Sequence, residues 1–93
     1  MGDQQSGLAS EMSLRGRVEQ IVSRISRIDA SEFEDDVLIR EELGIDSLMA
    51  MEIIATCEKE LELQIDETLF GEVETVGEFM SIMSDLYQSQ RAS

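Results

Sequence analysis

The chain has 93 residues, enough for about one domain, and its 21 acidic against 7 basic residues give a net charge of −14. It contains no histidine and one cysteine, which excludes histidine-dependent catalytic sites, cysteine-histidine zinc sites and an internal disulfide. The acidity argues against a basic nucleic-acid-binding surface, and no apolar run reaches the roughly 20 residues that span a bilayer, so we expect a cytoplasmic domain without membrane or nucleic-acid partners.

The first half of the chain contains one predicted helix and one long connection. Residues 1–12 are rich in glycine, serine and glutamine without periodicity, which predicts a flexible leader or linker. From Leu14 to Ile28, apolar residues recur every three or four positions, a spacing typical of an amphipathic helix. Residues 29–46 form a long connection, and connections of this length often have a function. Gly44 allows the backbone to turn before the next helix. The expected inward anchors of this connection are Phe33, Val37, Leu38, Ile39 and Leu43.

The second predicted helix covers residues 47–61 and begins after Asp46, a favourable N-cap residue. Its apolar residues fall into two stripes. The wider stripe, which we expect in the core, consists of Ala50, Ile53, Ile54, Cys57 and Leu61. The narrower stripe of Leu48, Met51 and Ala55 should stay partly exposed, which is more apolar surface than a solvated helix needs.

The remainder of the chain predicts one short and one long helix. Residues 65–73 allow at most one short helical turn, and Thr75 with Glu78 forms a T-x-x-E capping box that opens the last helix. Residues 89–93 are predicted to form a flexible polar tail. The inward residues expected in the last helix are Val76, Phe79, Met80, Met83, Leu86 and Tyr87. The sequence therefore predicts an all-α fold of three main helices plus one short helix, with a long loop between helices 1 and 2.

Ser47 has the most distinctive chemical setting in the chain. It follows Asp46 in the segment L-G-I-D-S-L and falls in the first turn of a predicted helix. Unpaired N–H groups and the helix dipole favour an anion there, so a phosphate esterified to this hydroxyl would be stabilised. Asp46 could orient a metal-bound phosphate donor held by another enzyme. The same two residues also suit an ordinary N-cap pair.

The run EELGIDSLMAMEIIATCEKELELQI resembles the acyl carrier protein family, and the order of elements extends the resemblance over residues 14–88. It implies a four-helix bundle in which a phosphopantetheinyl transferase attaches a 4′-phosphopantetheine arm to Ser47. The thiol of that arm holds acyl groups as thioesters, so the chain itself would be non-catalytic and, as an isolated domain, monomeric. On this interpretation residues 13–88 are the carrier domain, between the leader and the tail.

The resemblance also implies roles for residues on and beside the second helix. Those implied to lie at the arm are Asp46, Leu48, Met51 and Val73, and those implied in partner recognition are Met49, Glu52, Ala55 and Glu58. The ordinary alternatives are that Met51 and Ala55 belong to the edge of the core and that the glutamates form a solvated face. Cys57 is interpreted as a small buried hydrophobic residue rather than a reactive thiol.

Details of the motif favour carrier domains of polyketide synthases, including iterative fungal ones. The residues D-S-L-M, with L-F and T-V-G-E-F downstream, carry this resemblance. Met49 stands where many fatty-acid carriers have an acid, and Ile45 stands where peptidyl carriers usually have a second glycine. Asp66 replaces a usual proline of the family. The implied partners are ketosynthase, acyltransferase and thioesterase domains. Residues 29–88 carry eighteen acidic and two basic side chains, a surface suited to fast docking on basic patches. A fatty-acid carrier and a peptidyl carrier stay open as alternatives.

Three functions of other classes are alternatives to the carrier function. A calcium-binding loop over residues 66–77 is rejected because Phe70 and Gly77 fall at ligand positions, and no metal site is predicted. A hydrolase is rejected because Ser47 has no histidine, and no lysine in register, to activate it. An unmodified helical interaction module, docking through the narrower stripe of the second helix, stays open.

Overall fold

The computed structural model describes residues 13–91 and contains three α-helices, α1 (Leu14–Ser26), α2 (Ser47–Leu61) and α3 (Val76–Arg91). Each of the two connections contains one 3₁₀ turn, at Ala30–Glu32 and at Glu67–Phe70. The predicted all-α fold is confirmed, and the predicted short helix is the 3₁₀ turn before α3. None of the helices within these residues is long and apolar enough to cross a membrane.

Helix α1 ends earlier than its apolar periodicity indicates. Ser13 caps its start, where the hydroxyl accepts a hydrogen bond from the Gly16 N–H at 3.0 Å. At the other end Arg27 adopts a left-handed conformation with φ of 65° and donates its N–H to the Ser23 carbonyl. Ile28, which the sequence placed on the helical stripe, therefore follows the helix, although it still packs partly buried against the core.

The predicted capping box at the start of α3 is confirmed. The Glu78 N–H donates to the Thr75 hydroxyl at 3.2 Å, and the Glu78 carboxylate accepts from the Thr75 N–H at 3.2 Å and from the Glu74 N–H at 2.8 Å. The N–H groups of Glu74 and Thr75 lower the pKa of Glu78 below its usual value. Because these bonds satisfy N–H groups that have no partner inside the helix, they define where α3 begins.

Helix α3 continues into the segment that the sequence assigned to the tail. Residues 89–91 form its last turn, so they are helical rather than a loose end. The side-chain amide of Gln90 explains this, since it accepts from the Gln64 N–H at 2.9 Å and donates to the Gln64 carbonyl at 2.7 Å. The predicted leader 1–12 and residues 92–93 lie outside the described residues.

The core is formed by the inward faces of the three helices and by apolar residues of both connections. Its most enclosed side chains are Val18, Cys57, Leu61 and Met83, and the expected burial of Cys57 is confirmed. Three further core residues lie in the connections and were not among the residues expected to point inward: Ile45, Leu63 and Ile65. The predicted anchor Phe33 is buried, whereas the other four anchors of the long connection are half-buried.

The long connection is fastened to the start of α3 by backbone hydrogen bonds. The Ile39 N–H donates to the Glu74 carbonyl at 2.8 Å, and the carbonyls of Val37 and Asp35 accept from the first N–H groups of α3 at 3.0 and 2.9 Å. Between them, residues 38 and 75 form an isolated antiparallel bridge. We call residues 35–39 and 74–77 together the loop clasp. The clasp fixes an otherwise irregular segment that leads to α2.

The clasp requires a glycine where the two backbones approach each other. A Cβ at Gly77 would lie 3.1 Å from the Asp35 carbonyl oxygen and 3.2 Å from the Asp35 Cβ. Gly77→Ala is therefore expected to lower the free energy of unfolding by about 1–2 kcal/mol, measured by urea denaturation. The control is Gly71→Ala, whose Cβ would meet only the Thr68 carbonyl oxygen at 3.5 Å. Equal stability of the two variants would show that the clasp tolerates a side chain.

Candidate functional site

Ser47 is the first residue of α2 and its side chain is exposed. Two preceding residues place it there: Gly44 turns the chain with φ of 68°, and Ile45 buries its side chain in the core. Within residues 13–91 the Ser47 hydroxyl has no hydrogen-bond partner. A nucleophilic oxygen is thus presented to solvent on an anchored turn, within reach of a second protein.

Asp46 is engaged as the N-cap of α2. Its carboxylate accepts from the Met49 N–H at 2.9 Å, and its carbonyl accepts from the Ala50 N–H at 2.9 Å. The N–H groups of Ser47 and Leu48 precede the first bonded turn, and the first turn carries no acidic residue. Partial positive charge therefore lies beside the Ser47 oxygen, which fits a phosphate ester at that atom. The structure therefore shows Asp46 as the N-cap of α2, and its predicted role toward a phosphate donor on another enzyme stays a prediction.

An exposed apolar stripe runs along α2 from the turn that contains Ser47. Leu48 is 77% exposed and Met51 is 53% exposed, and Ala55 continues the stripe as an exposed residue. The third large hydrophobic residue that is exposed among the described residues is Leu69, which lies in the second connection and is 44% exposed. The predicted exposure of the narrower stripe is confirmed. Such surface costs free energy in water and is typical of a docking site.

The other α2 residues predicted to face partners lie in different environments. Glu52 is exposed. Glu58 is half-buried, and its carboxylate accepts from the Ile65 N–H at 2.9 Å, so it fastens the second connection to α2. Met49 is half-buried and packs against the core. The structure therefore places Glu52 on the open surface and gives Glu58 and Met49 internal contacts, while the recognition role of all three stays a prediction.

A cavity of about 90 Å³ opens into the core beside the start of α2. Apolar side chains of all three helices and both connections line it, including the predicted site residue Val73 and also Phe70. Two charged residues, Arg40 and Asp46, complete the lining. The cavity thus brings Val73 into one site with the residue that precedes Ser47. Sequence reasoning missed Arg40, although it is the single basic residue between positions 28 and 58.

Comparisons with known proteins identify families whose sequences are similar to this chain. A family model described as "Phosphopantetheine attachment site" matches residues 16–82. The chain is 31% identical over 70 residues to an acyl carrier protein of Saccharopolyspora erythraea, which covers 75% of this chain and 74% of that protein. It is 40% identical over 68 residues to a non-reducing polyketide synthase of Elsinoe fawcettii and 38% identical over 72 residues to one of Preussia isomera. These matches cover 73% and 77% of this chain but 3% of each synthase.

Proposed function

Because the chain belongs to the acyl carrier protein family, whose prosthetic group is 4′-phosphopantetheine, we propose that this group is attached at Ser47 by a phosphopantetheinyl transferase. The observation that carries the proposal is the exposed, unbonded Ser47 hydroxyl at the start of α2. The anchored turn supports it, because a transferase needs this oxygen in the open. The unpaired N–H groups beside it favour the phosphate that the modification leaves.

The chain's residues act as a tether and a docking surface rather than as a catalyst. When bound, 4′-phosphopantetheine supplies a thiol that holds an acyl group as a thioester. Ser47 fixes the base of that arm, which raises the concentration of the acyl group at a partner's active site. A chain without histidine offers no imidazole to act as a general base at Ser47, and we assign the acyl chemistry to the partners.

We infer that the acyl groups are polyketide intermediates. The support is that relatives of this chain are non-reducing polyketide synthases in which the matched segment is a small part of the protein. On that basis the partners are the ketosynthase, acyltransferase and thioesterase domains of such a synthase, reached through the acidic surface and the exposed stripe of α2. Fatty-acid and peptidyl carriers, and an unmodified interaction module, are not favoured. The monomeric state and the cytoplasmic location stay predictions.

Mass spectrometry of the modified chain tests the attachment at Ser47. The folded protein is incubated with coenzyme A, Mg²⁺ and a broad-specificity phosphopantetheinyl transferase, weighed intact and then fragmented. The expected reaction forms a bond from the Ser47 Oγ to phosphorus, breaks the pyrophosphate bond of coenzyme A, and releases adenosine 3′,5′-bisphosphate and a proton. One adduct on the peptide that contains Ser47 is the expected result. No adduct, or an adduct on another serine, would contradict the proposal.

Glu52→Lys tests whether the exposed face of α2 steers docking. Reversing this charge is expected to slow loading by the transferase about tenfold at low salt, because partner association then loses electrostatic attraction. The difference should shrink as salt screens the charges, and the helical circular dichroism should not change. Asp85→Lys, which makes the same charge change at an exposed position of α3, is the control. Equal loading rates for the two variants at low salt would remove Glu52 from the recognition surface.

A further inference from the structure

We propose that the Arg40 guanidinium pairs with the phosphodiester that joins 4′-phosphopantetheine to Ser47, an inference that rests on the attachment proposed above. Arg40 lies outside the L-G-I-D-S-L segment, and neither the sequence motif nor the predicted site residues include it. The pairing would make Arg40 a positioning residue for the base of the arm.

The place of Arg40 in the fold is the first support for this pairing. Arg40 and Asp46 line the same cavity, and Ser47 directly follows Asp46. Two backbone hydrogen bonds join residues 39–40 to residues 44–45, which immediately precede Asp46. The Gly44 N–H donates to the Arg40 carbonyl at 3.1 Å, and the Ile45 N–H donates to the Ile39 carbonyl at 3.2 Å. The backbone of Arg40 is therefore held against the turn that presents Ser47.

The charge distribution around Arg40 is the second support. Residues 29–46 contain eight acidic residues and Arg40 as their one cation. Despite these neighbours, the Arg40 side chain is exposed and forms no ion pair or hydrogen bond within residues 13–91. Arg15 bonds to Glu19 and Asp35, and Arg24 bonds to Glu60 at 2.6 Å. Arg27, at the end of α1, has no side-chain partner within the described residues either, but it does not line the cavity beside Asp46. Arg40 is thus a cation available to an anion at the start of α2.

The chemistry of the two groups matches. A phosphodiester keeps a single negative charge at neutral pH and presents two free oxygens, and a guanidinium can donate to both in one plane. Apart from Asp46, the other residues that line the cavity beside Arg40 are apolar. The Asp46 carboxylate accepts the Met49 N–H and forms no ion pair with Arg40 within the described residues, so it leaves the guanidinium available to the diester. We therefore expect the arm to leave Ser47 in a direction set in part by Arg40.

Nuclear magnetic resonance of the loaded protein tests the pairing without an activity assay. Wild type, Arg40→Gln, Arg40→Lys and Arg27→Gln are loaded with the same transferase, and loading is verified by intact mass. In the wild type, loading should slow the exchange of the Arg40 Nε–H with water by about two- to fivefold. This factor corresponds to the free energy of an exposed ion pair. The ³¹P resonance of the diester should move with added salt in the wild type and in Arg27→Gln, which lacks a different exposed cation, one that lies beside Glu52 and Ala55 and not at the cavity of Arg40. In Arg40→Gln it should not move, and Arg40→Lys should restore only part of the response.

The outcomes separate this inference from the proposal beneath it. If no chain acquires an adduct at Ser47, the attachment is wrong and the pairing has no phosphodiester to act on. If the chains load but the Arg40 Nε–H exchanges equally fast before and after loading, the attachment stands and the pairing is wrong. The wild-type exchange measurement decides the point even if Arg40→Gln itself loads poorly.

Discussion

Ser47→Ala is expected to abolish the phosphopantetheine adduct completely while leaving the fold unchanged. The substitution removes the only oxygen that the side chain offers to the phosphorus of coenzyme A. The capping bond at the start of α2 comes from Asp46 and does not involve Ser47. Since the Ser47 side chain is exposed and unbonded within the described residues, the free energy of unfolding should change by no more than about 0.5 kcal/mol.

The measurement is intact mass after incubation with coenzyme A, Mg²⁺ and the transferase, combined with thermal unfolding. Ser81→Ala is the matched control, since Ser81 is also an exposed serine on a helix, in the middle of α3. It should load as the wild type does. An adduct that persists on folded Ser47→Ala would place the modification elsewhere and remove the basis for the carrier function proposed for this turn.

Cys57 is expected to react with thiol reagents about 1,000-fold more slowly than an exposed cysteine at pH 8. Its side chain is fully buried, and this burial, with a smaller contribution from Glu60, raises its pKa from 9.0 to about 12. The thiolate is the reactive form, so each unit of increase in the pKa lowers its population about tenfold at a pH below both values. The reaction should accelerate as the pH rises toward 12.

An aromatic disulfide reagent, followed by absorbance, measures this difference. The unmodified folded protein should react slowly, and the same protein in urea should react fast with one equivalent. After loading, one fast equivalent should appear in the folded protein, because the thiol of the arm is then in solvent. A fast equivalent from the folded, unmodified chain would show that Cys57 is accessible and could exchange with a thioester on the arm.

The helices and their caps could be predicted from the sequence because both depend on residues close together in the chain. The three- and four-residue spacing identified the buried face of α2, and Thr75 with Glu78 identified the start of α3. The segment around Ser47 could be singled out for the same reason. Its glycine, its capping acid and its serine lie within four consecutive residues.

The features that the sequence did not predict depend on contacts between distant segments. Leu63 and Ile65 alternate along a short stretch after α2 and have no helical period. The bond from the Ile65 N–H to the half-buried Glu58 carboxylate fastens the second connection to α2. Arg40 becomes conspicuous only when its position at the cavity is known. None of these pairings follows from spacing in the chain, because each needs the packed arrangement of the helices.

The loop clasp has a consequence for carriers recombined from two parent chains. Its halves, residues 35–39 and 74–77, come from either side of α2, and Arg15 in α1 adds bonds to the Phe33 carbonyl and to Asp35. A crossover placed inside α2 would combine clasp halves that did not evolve together, even if the helical surface were intact. Exchange of α2 as a cassette, with both flanking halves kept from one parent, would preserve the scaffold on which the serine is displayed.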